Sequence, residues 1–163
     1  AHVTLSENMQ VIKDRTFLQC IALTSLITPE NLTGIGYSAF EGCRGLADLT
    51  LSNVYRIEDN AFANCTGMKK ISCLTVTPPE CGNFVFNGVD KETCTLFVPE
   101  EVAEVYKRTY PWSEFLLINA ATGVDAPVSS IDFAKKIFNL NGVQLTEPQS
   151  GLNIINGKAV LAK

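Results

Sequence analysis

The sequence predicts an α/β repeat: a right-handed solenoid of short parallel strands with irregular or short helical return segments, a C-terminal helical cap and a small antiparallel β appendage. Three observations predict it. The stretch "AFEGCRGLADLTL" (39–51) returns 22 residues later as "AFANCTGMKKISC" (61–73). With Phe40 placed over Phe62, Ile35/Ile57, Ala39/Ala61, Cys43/Cys65, Gly45/Gly67, Leu46/Met68, Leu49/Ile71 and Val54/Val76 also correspond. A third clear copy precedes the pair at a similar interval, with Ile12, Phe17, Cys20, Leu23 and Leu26, and one worn copy, "FVFNGVDKETCTLFVP", follows it, with Phe86 in the aromatic place and Val89 in the cysteine place.

The totals fit this reading. A chain of 163 residues holds one ordinary domain, or a small domain with an appendage. Hydrophobic residues at 46% against 18% charged describe a folded chain. The net charge of -4 argues against nucleic acid or an anionic membrane surface as the main partner, and no apolar run reaches the length of a membrane span. The start reads as mid-repeat. "HVTLSENMQVIKDRTF" matches "DLTLSNVYRIEDNAF", which makes Val3 and Leu5 the last strand of a unit whose first half is missing. The expectation is a fragment of a longer protein, or a start that leans on a neighbour.

Each unit reads as a short strand, a turn and a compact bend. Leu49 and Leu51 point inward and Thr50 outward, and Ile71 and Cys73 flank Ser72 in the same way. One unit cannot bury its own Phe, Leu and Ile side chains, so units stack and share a core, with Phe40 and Phe62 one strand spacing apart. The pattern resembles the BspA-like leucine-rich repeats, whose units read approximately I-x-x-x-A-F-x-x-C-x-x-L-x-x-L-x-L-P. Ile35, Ala39, Phe40, Cys43, Leu46, Leu49 and Leu51 carry the match, followed by Ile57, Ala61, Phe62, Cys65, Met68 and Ile71. The likeness covers roughly residues 1–118; Thr16 replaces the alanine of the first unit, and the fourth lacks the cysteine. The resemblance implies a leucine-rich-repeat solenoid on a secreted or cell-surface bacterial protein, with adhesion or protein binding as its role.

Cys20, Cys43 and Cys65 share one phase, which predicts a buried column of free thiols acting as small apolar residues. Stacked neighbours about 5 Å apart are wider than the Cβ separation a disulfide wants, although bridging is the alternative. Cys73 falls at an inward strand position, Cys81 in the loop after "TPPE", and Cys94 off the column; one disulfide among these three, in an oxidising compartment, is the alternative to free thiols.

"VPEEVAEVYKRTYPWSEF" predicts the cap, about 99–118. Pro99 opens a helix with Glu100 and Glu101 at its positive end and Lys107 and Arg108 in its last turn. Val102, Val105, Tyr106 and Thr109 line one helical face, and Pro111 ends it. Trp112 and Phe115 read as cover for the last repeat, with a sugar-stacking platform as the alternative. The small, polar run 119–130 reads as a linker. Residues 131–163 then read as a β-hairpin module turning at Asn141-Gly142 and Asn156-Gly157. This tail resembles the short β modules that end many extracytoplasmic proteins of the same bacteria, from whose pattern Asn139 and Val143 depart.

Chemistry is sparse. His2 is the only histidine, which argues against a Ser or Cys nucleophile with a histidine base and against a zinc site. Glu58, Asp59, Asp90, Glu100 and Glu101 fall on turns or the cap, where their spacing implies solvated carboxylates and not a converging acid pair, and no phosphate-cradling glycine loop is present. The reading assigns no catalytic residue, metal or cofactor. It assigns a surface: the side chains opposite the core form a strip of His2, Thr4, Ser25, Ile27, Asp48, Thr50, Lys70, Ser72, Thr95 and Phe97. Ile27 and Phe97 are its apolar anchors, and Asp48 and Lys70 their polar neighbours. The expected function is a non-catalytic protein-interaction or adhesion module. A carbohydrate-binding accessory of a surface glycan system and a structural spacer of a longer protein are the alternatives.

Overall fold

The computed structural model describes residues 3–121 and the strand segments 137–138, 144–145, 151–155 and 158–162. The chain divides into two compact units, Ala1–Ala126 and Pro127–Lys163.

The first unit is a coil wound through two parallel sheets. In chain order its strands are β1 (Val11–Ile12), β2 (Ser25–Ile27), β3 (Gly34–Ile35), β4 (Asp48–Leu51), β5 (Arg56–Ile57), β6 (Lys70–Cys73), β7 (Glu80–Cys81), β8 (Thr95–Pro99) and β9 (Leu117–Ala121). One sheet runs β2-β4-β6-β8-β9 and the other β1-β3-β5-β7. Each of the first four coils therefore contributes one strand to each sheet, joined by the bend that carries the phenylalanine, and β9 adds a fifth strand to the larger sheet alone. The predicted repeat strand is one of the two strands per coil; the second, a two-residue ladder at the Ile12, Ile35, Ile57 and Cys81 phase, is shorter than a period-two pattern can reveal.

Register in the larger sheet follows the repeat. Leu26, Leu49, Ile71, Leu96 and Ile118 are successive partners, and the first four are buried. The phenylalanines stack in the same order. Ring centroids lie 5.0 Å apart for Phe17–Phe40, 5.2 Å for Phe40–Phe62 and 5.8 Å for Phe62–Phe86, with planes within 12°. The spacing is that of strands in a sheet, because each ring rides on its own coil.

The bends are not helical. Each holds two left-handed residues placed two before and two after its phenylalanine: Arg15 and Gln19, Ser38 and Gly42, Asn60 and Asn64, Phe84 and Gly88. The alternation curls the backbone, and every second amide donates to the next coil: Phe17 to Ala39, Phe40 to Ala61 and Phe62 to Val85 at 2.8, 2.8 and 3.0 Å. Glycine at 42 and 88 suits that backbone (φ 74° and 80°), and asparagine at 60 and 64 tolerates it.

Several expectations need correction. Cys20 is exposed, against the expected buried column, whereas Cys43 and Cys65 are buried as the column requires. Val3 and Leu5 are half-buried and buried, but residues 3–8 form no strand. Val76 is exposed, because the coil lengthens by two residues near Pro78 and Pro79 and turns Thr75 inward in its place. Cys81 belongs to β7, not to a loop.

The predicted cap helix is a 3-10 turn, Glu100–Val102, followed by one helical turn, α1 (Ala103–Tyr106). The tighter first turn rotates the face, so Tyr106 is buried while Val105 is exposed, and Lys107 and Arg108 lie beyond the helix. Trp112 and Phe115 are buried edge-on against Phe86 at 5.2 and 5.4 Å, which leaves no sugar-stacking platform there. Trp112 Nε1 also donates to the Pro79 carbonyl at 3.1 Å. Strand β9 runs through the 118/119 boundary that composition suggests for the linker.

In the second unit, β10 (Ile137–Phe138), β11 (Gln144–Leu145), β12 (Gly151–Ile155) and β13 (Lys158–Ala162) pair antiparallel in the order β11-β10-β12-β13. The Asn141-Gly142 and Asn156-Gly157 turns, and linker positions 122–130, lie outside the described residues.

Candidate functional site: the outward face of the larger sheet

Parallel in-register pairing turns one side chain per coil into a row. The first outward row is Ser25, Asp48, Lys70, Thr95 and Leu117, and the second is Ile27, Thr50, Ser72, Phe97 and Asn119. Seven of the predicted strip residues, Ser25, Ile27, Asp48, Thr50, Lys70, Thr95 and Phe97, stand in these rows and are exposed or half-buried.

Two predictions are corrected and one falls outside view. Ser72 stands in the second row but is buried, as a short side chain between Thr50 and Phe97. Thr4 is exposed but belongs to no strand, so the face does not extend to it. His2 lies outside the described residues. The structure adds Leu117 and Asn119, which sequence reasoning placed in the cap and linker. The signal was present: Leu117 follows Thr95 by 22 residues, the same step that separates Asp48 from Lys70.

The face is amphipathic in a specific way. Ile27 and Leu117, each 45% exposed, stand toward opposite edges. Between them the Lys70 ammonium sits 4.9 Å from the centre of the Phe97 ring. This cation-π contact holds the lysine stem across the row and leaves the Asp48 carboxylate without an ion-pair partner among the described residues. The smaller sheet differs. Its outward row is Val11, Gly34, Arg56 and Glu80, where Arg56 pairs with Glu58 at 2.6 Å and with Glu80 at 3.7 Å.

The thiols are poor candidates for chemistry. Burial pushes Cys43 and Cys94 up to about 11 and Cys65 and Cys81 up to about 12, and raises Cys73 as well. Cys43 and Cys65 instead donate to the Phe17 and Phe40 carbonyls of the preceding coil, at 3.0 and 3.1 Å. Cys73 packs in a buried polar knot with Thr75 and Tyr106. There the Tyr106 hydroxyl donates to the Thr75 carbonyl at 2.8 Å and lies 2.9 Å from Thr75 Oγ1. Burial drives the Tyr106 phenol far above its ordinary range. Among the described residues no group of His, Cys, Asp and Glu is placed to hold a metal ion, and no helix is long and apolar enough to cross a membrane.

The family model described as "BspA type Leucine rich repeat region (6 copies)" matches residues 1–116. No curated protein matches the chain. Repeats of this type point to protein interaction or a surface role and are generally non-catalytic. With the match spanning β1 to β8, the phenylalanine column and the buried Trp112 and Phe115, the chain belongs to the BspA-type leucine-rich-repeat family.

Proposed function

We propose that the chain is a non-catalytic protein-interaction or adhesion module of a bacterial secreted or cell-surface protein, and that it binds through the outward face of β2, β4, β6, β8 and β9. The observation that carries this reading is the pair of in-register rows with three apolar members, Ile27, Phe97 and Leu117, around the Lys70–Phe97 contact and an Asp48 that has no ion-pair partner among the described residues. Apolar anchors in a polar surround are what protein interfaces use as hot spots. The ladder fixes their spacing, so little ordering entropy is lost when a partner docks.

Site-specific photocrosslinking tests the reading. A photoreactive side chain at Thr50 or Thr95 gives discrete protein adducts on intact bacterial or host cell surfaces, and the same group at Arg56 on the smaller sheet does not. Phe97→Ala and Leu117→Asp abolish the Thr50 adducts while leaving the fold intact. Equal adducts from Thr50 and Arg56 would rule the face out.

A further inference from the structure

The stacked bends form a second surface, apart from the strand rows. A cavity of about 370 Å³ opens there, lined by Gln19, Ile21, Glu41, Gly42, Arg44 and Asn64. Gln19, Gly42 and Asn64 occupy the same place in three successive coils, and all three are left-handed. Gly42 has no side chain, and the Gln19 stem leans over it, just as the Asn64 amide oxygen leans over Gly88 one coil further on. The Gln19 and Asn64 backbones stand two coil steps apart, roughly 10 Å at one strand spacing per coil, and both amides lean the same way along the stack. Among the described residues neither amide has a hydrogen-bond partner, and neither the Glu41 carboxylate nor the Arg44 guanidinium has an ion-pair partner.

The chemistry of the lining selects an occupant. A primary amide presents both a donor and an acceptor, the complement of a peptide group. Two of them roughly 10 Å apart match about three residues of extended chain at ~3.3 Å each. Glu41 and Arg44 offer opposite charges within one bend, and Ile21, 66% exposed, offers an apolar contact. No aromatic ring lines the cavity, so a sugar has no stacking surface. We propose that this groove binds an extended peptide strand, with Gln19 and Asn64 holding its main chain, Arg44 taking an acidic side chain and Glu41 a basic one.

The test uses the full chain on an array of acetylated, amidated octapeptides carrying one Glu and one Lys at varied spacing and order, beside an oligosaccharide array. The proposal expects retention of peptides with both charges in one preferred order. Arg44→Glu weakens binding about tenfold or more, as loss of a charged hydrogen bond does. The Glu41→Arg/Arg44→Glu double variant prefers the reversed order. Gln19→Gly and Asn64→Gly, which keep the left-handed backbone, weaken binding irrespective of order. Phe97→Ala leaves it unchanged, separating this groove from the sheet face. No peptide retention, retention indifferent to charge order in the double variant, or hits confined to oligosaccharides would overturn the proposal. Far-UV circular dichroism of each variant ensures that a loss is read only from folded protein.

Discussion

Phe62 is covered on both ring faces, by Phe40 and by Phe86, and is fully buried. Phe62→Ala should therefore cost about 3–5 kcal/mol in urea unfolding, the range for aromatic truncation in a core. Phe17 is half-buried with one ring face stacked on Phe40, and Phe17→Ala should cost roughly half as much. The thiols give a second prediction. The folded state holds Cys43 and Cys65 at about 11 and about 12, above an unfolded thiol, so the folded chain keeps protons that the unfolded chain releases. Their contribution is fully present below the unfolded thiol pKa, about 8.5–9, and is lost as pH rises toward 11–12. Unfolding midpoints should fall between pH ~8 and pH ~10.5, and Cys65→Ala should flatten that slope. At this scale the phases of Phe40, Phe62, Cys43 and Cys65 were legible in the sequence. The bond from each thiol to the preceding phenylalanine carbonyl was not, since it depends on the bend.

The bends show a period the sequence hides, because it lies in glycines and polar residues and not in the apolar pattern. Asp14 Oδ1 accepts the Tyr37 amide at 2.9 Å and Asp59 Oδ1 accepts the Asn83 amide at 2.7 Å, whereas Tyr37, at the same place in the intervening coil, makes no such bond. A Cβ on Gly36 would meet Asp14, and one on Gly82 would meet Asp59. Gln19 leans on Gly42 and Asn64 on Gly88 in the same alternation. The coils are thus clamped in pairs, the first with the second and the third with the fourth. Asp59→Ala should destabilise by about 1 kcal/mol, the usual worth of a side chain that satisfies an exposed backbone amide. Gly82→Ala should cost more, because the added methyl meets Asp59 backbone as well as its carboxylate. Denaturant titration of both variants checks the ranking, and equal stability of all three proteins would contradict the paired-coil account. The cap marks the limit of pattern reading at this scale. A helical face through Val102, Val105 and Tyr106 assumes one uniform helix, and a 3-10 turn in front of α1 shifts it.

Across the repeat unit, the two ladders, the aromatic column and the seal of Trp112 and Phe115 make one contiguous core. Its 22–24-residue step was readable because every coil must repeat the same inward residues, whereas the outward rows carry no such constraint. Thr4 and Ser72 could be placed only by seeing which coils form strands and which side chains their neighbours shade. If the core is shared along the whole unit, a cavity in one coil loosens its neighbours, and Phe62→Ala should speed amide exchange in β4 and β8 as well as in β6. Exchange confined to β6 would indicate independent coils.

Mass-resolved alkylation of the six cysteines in the folded protein tests the stacked interior most directly. Cys20, which is exposed, should react rapidly, while Cys43, Cys65, Cys73 and Cys94, which are buried, should react only as fast as the unit unfolds. Rapid labelling of Cys43 and Cys65 under native conditions would contradict the account.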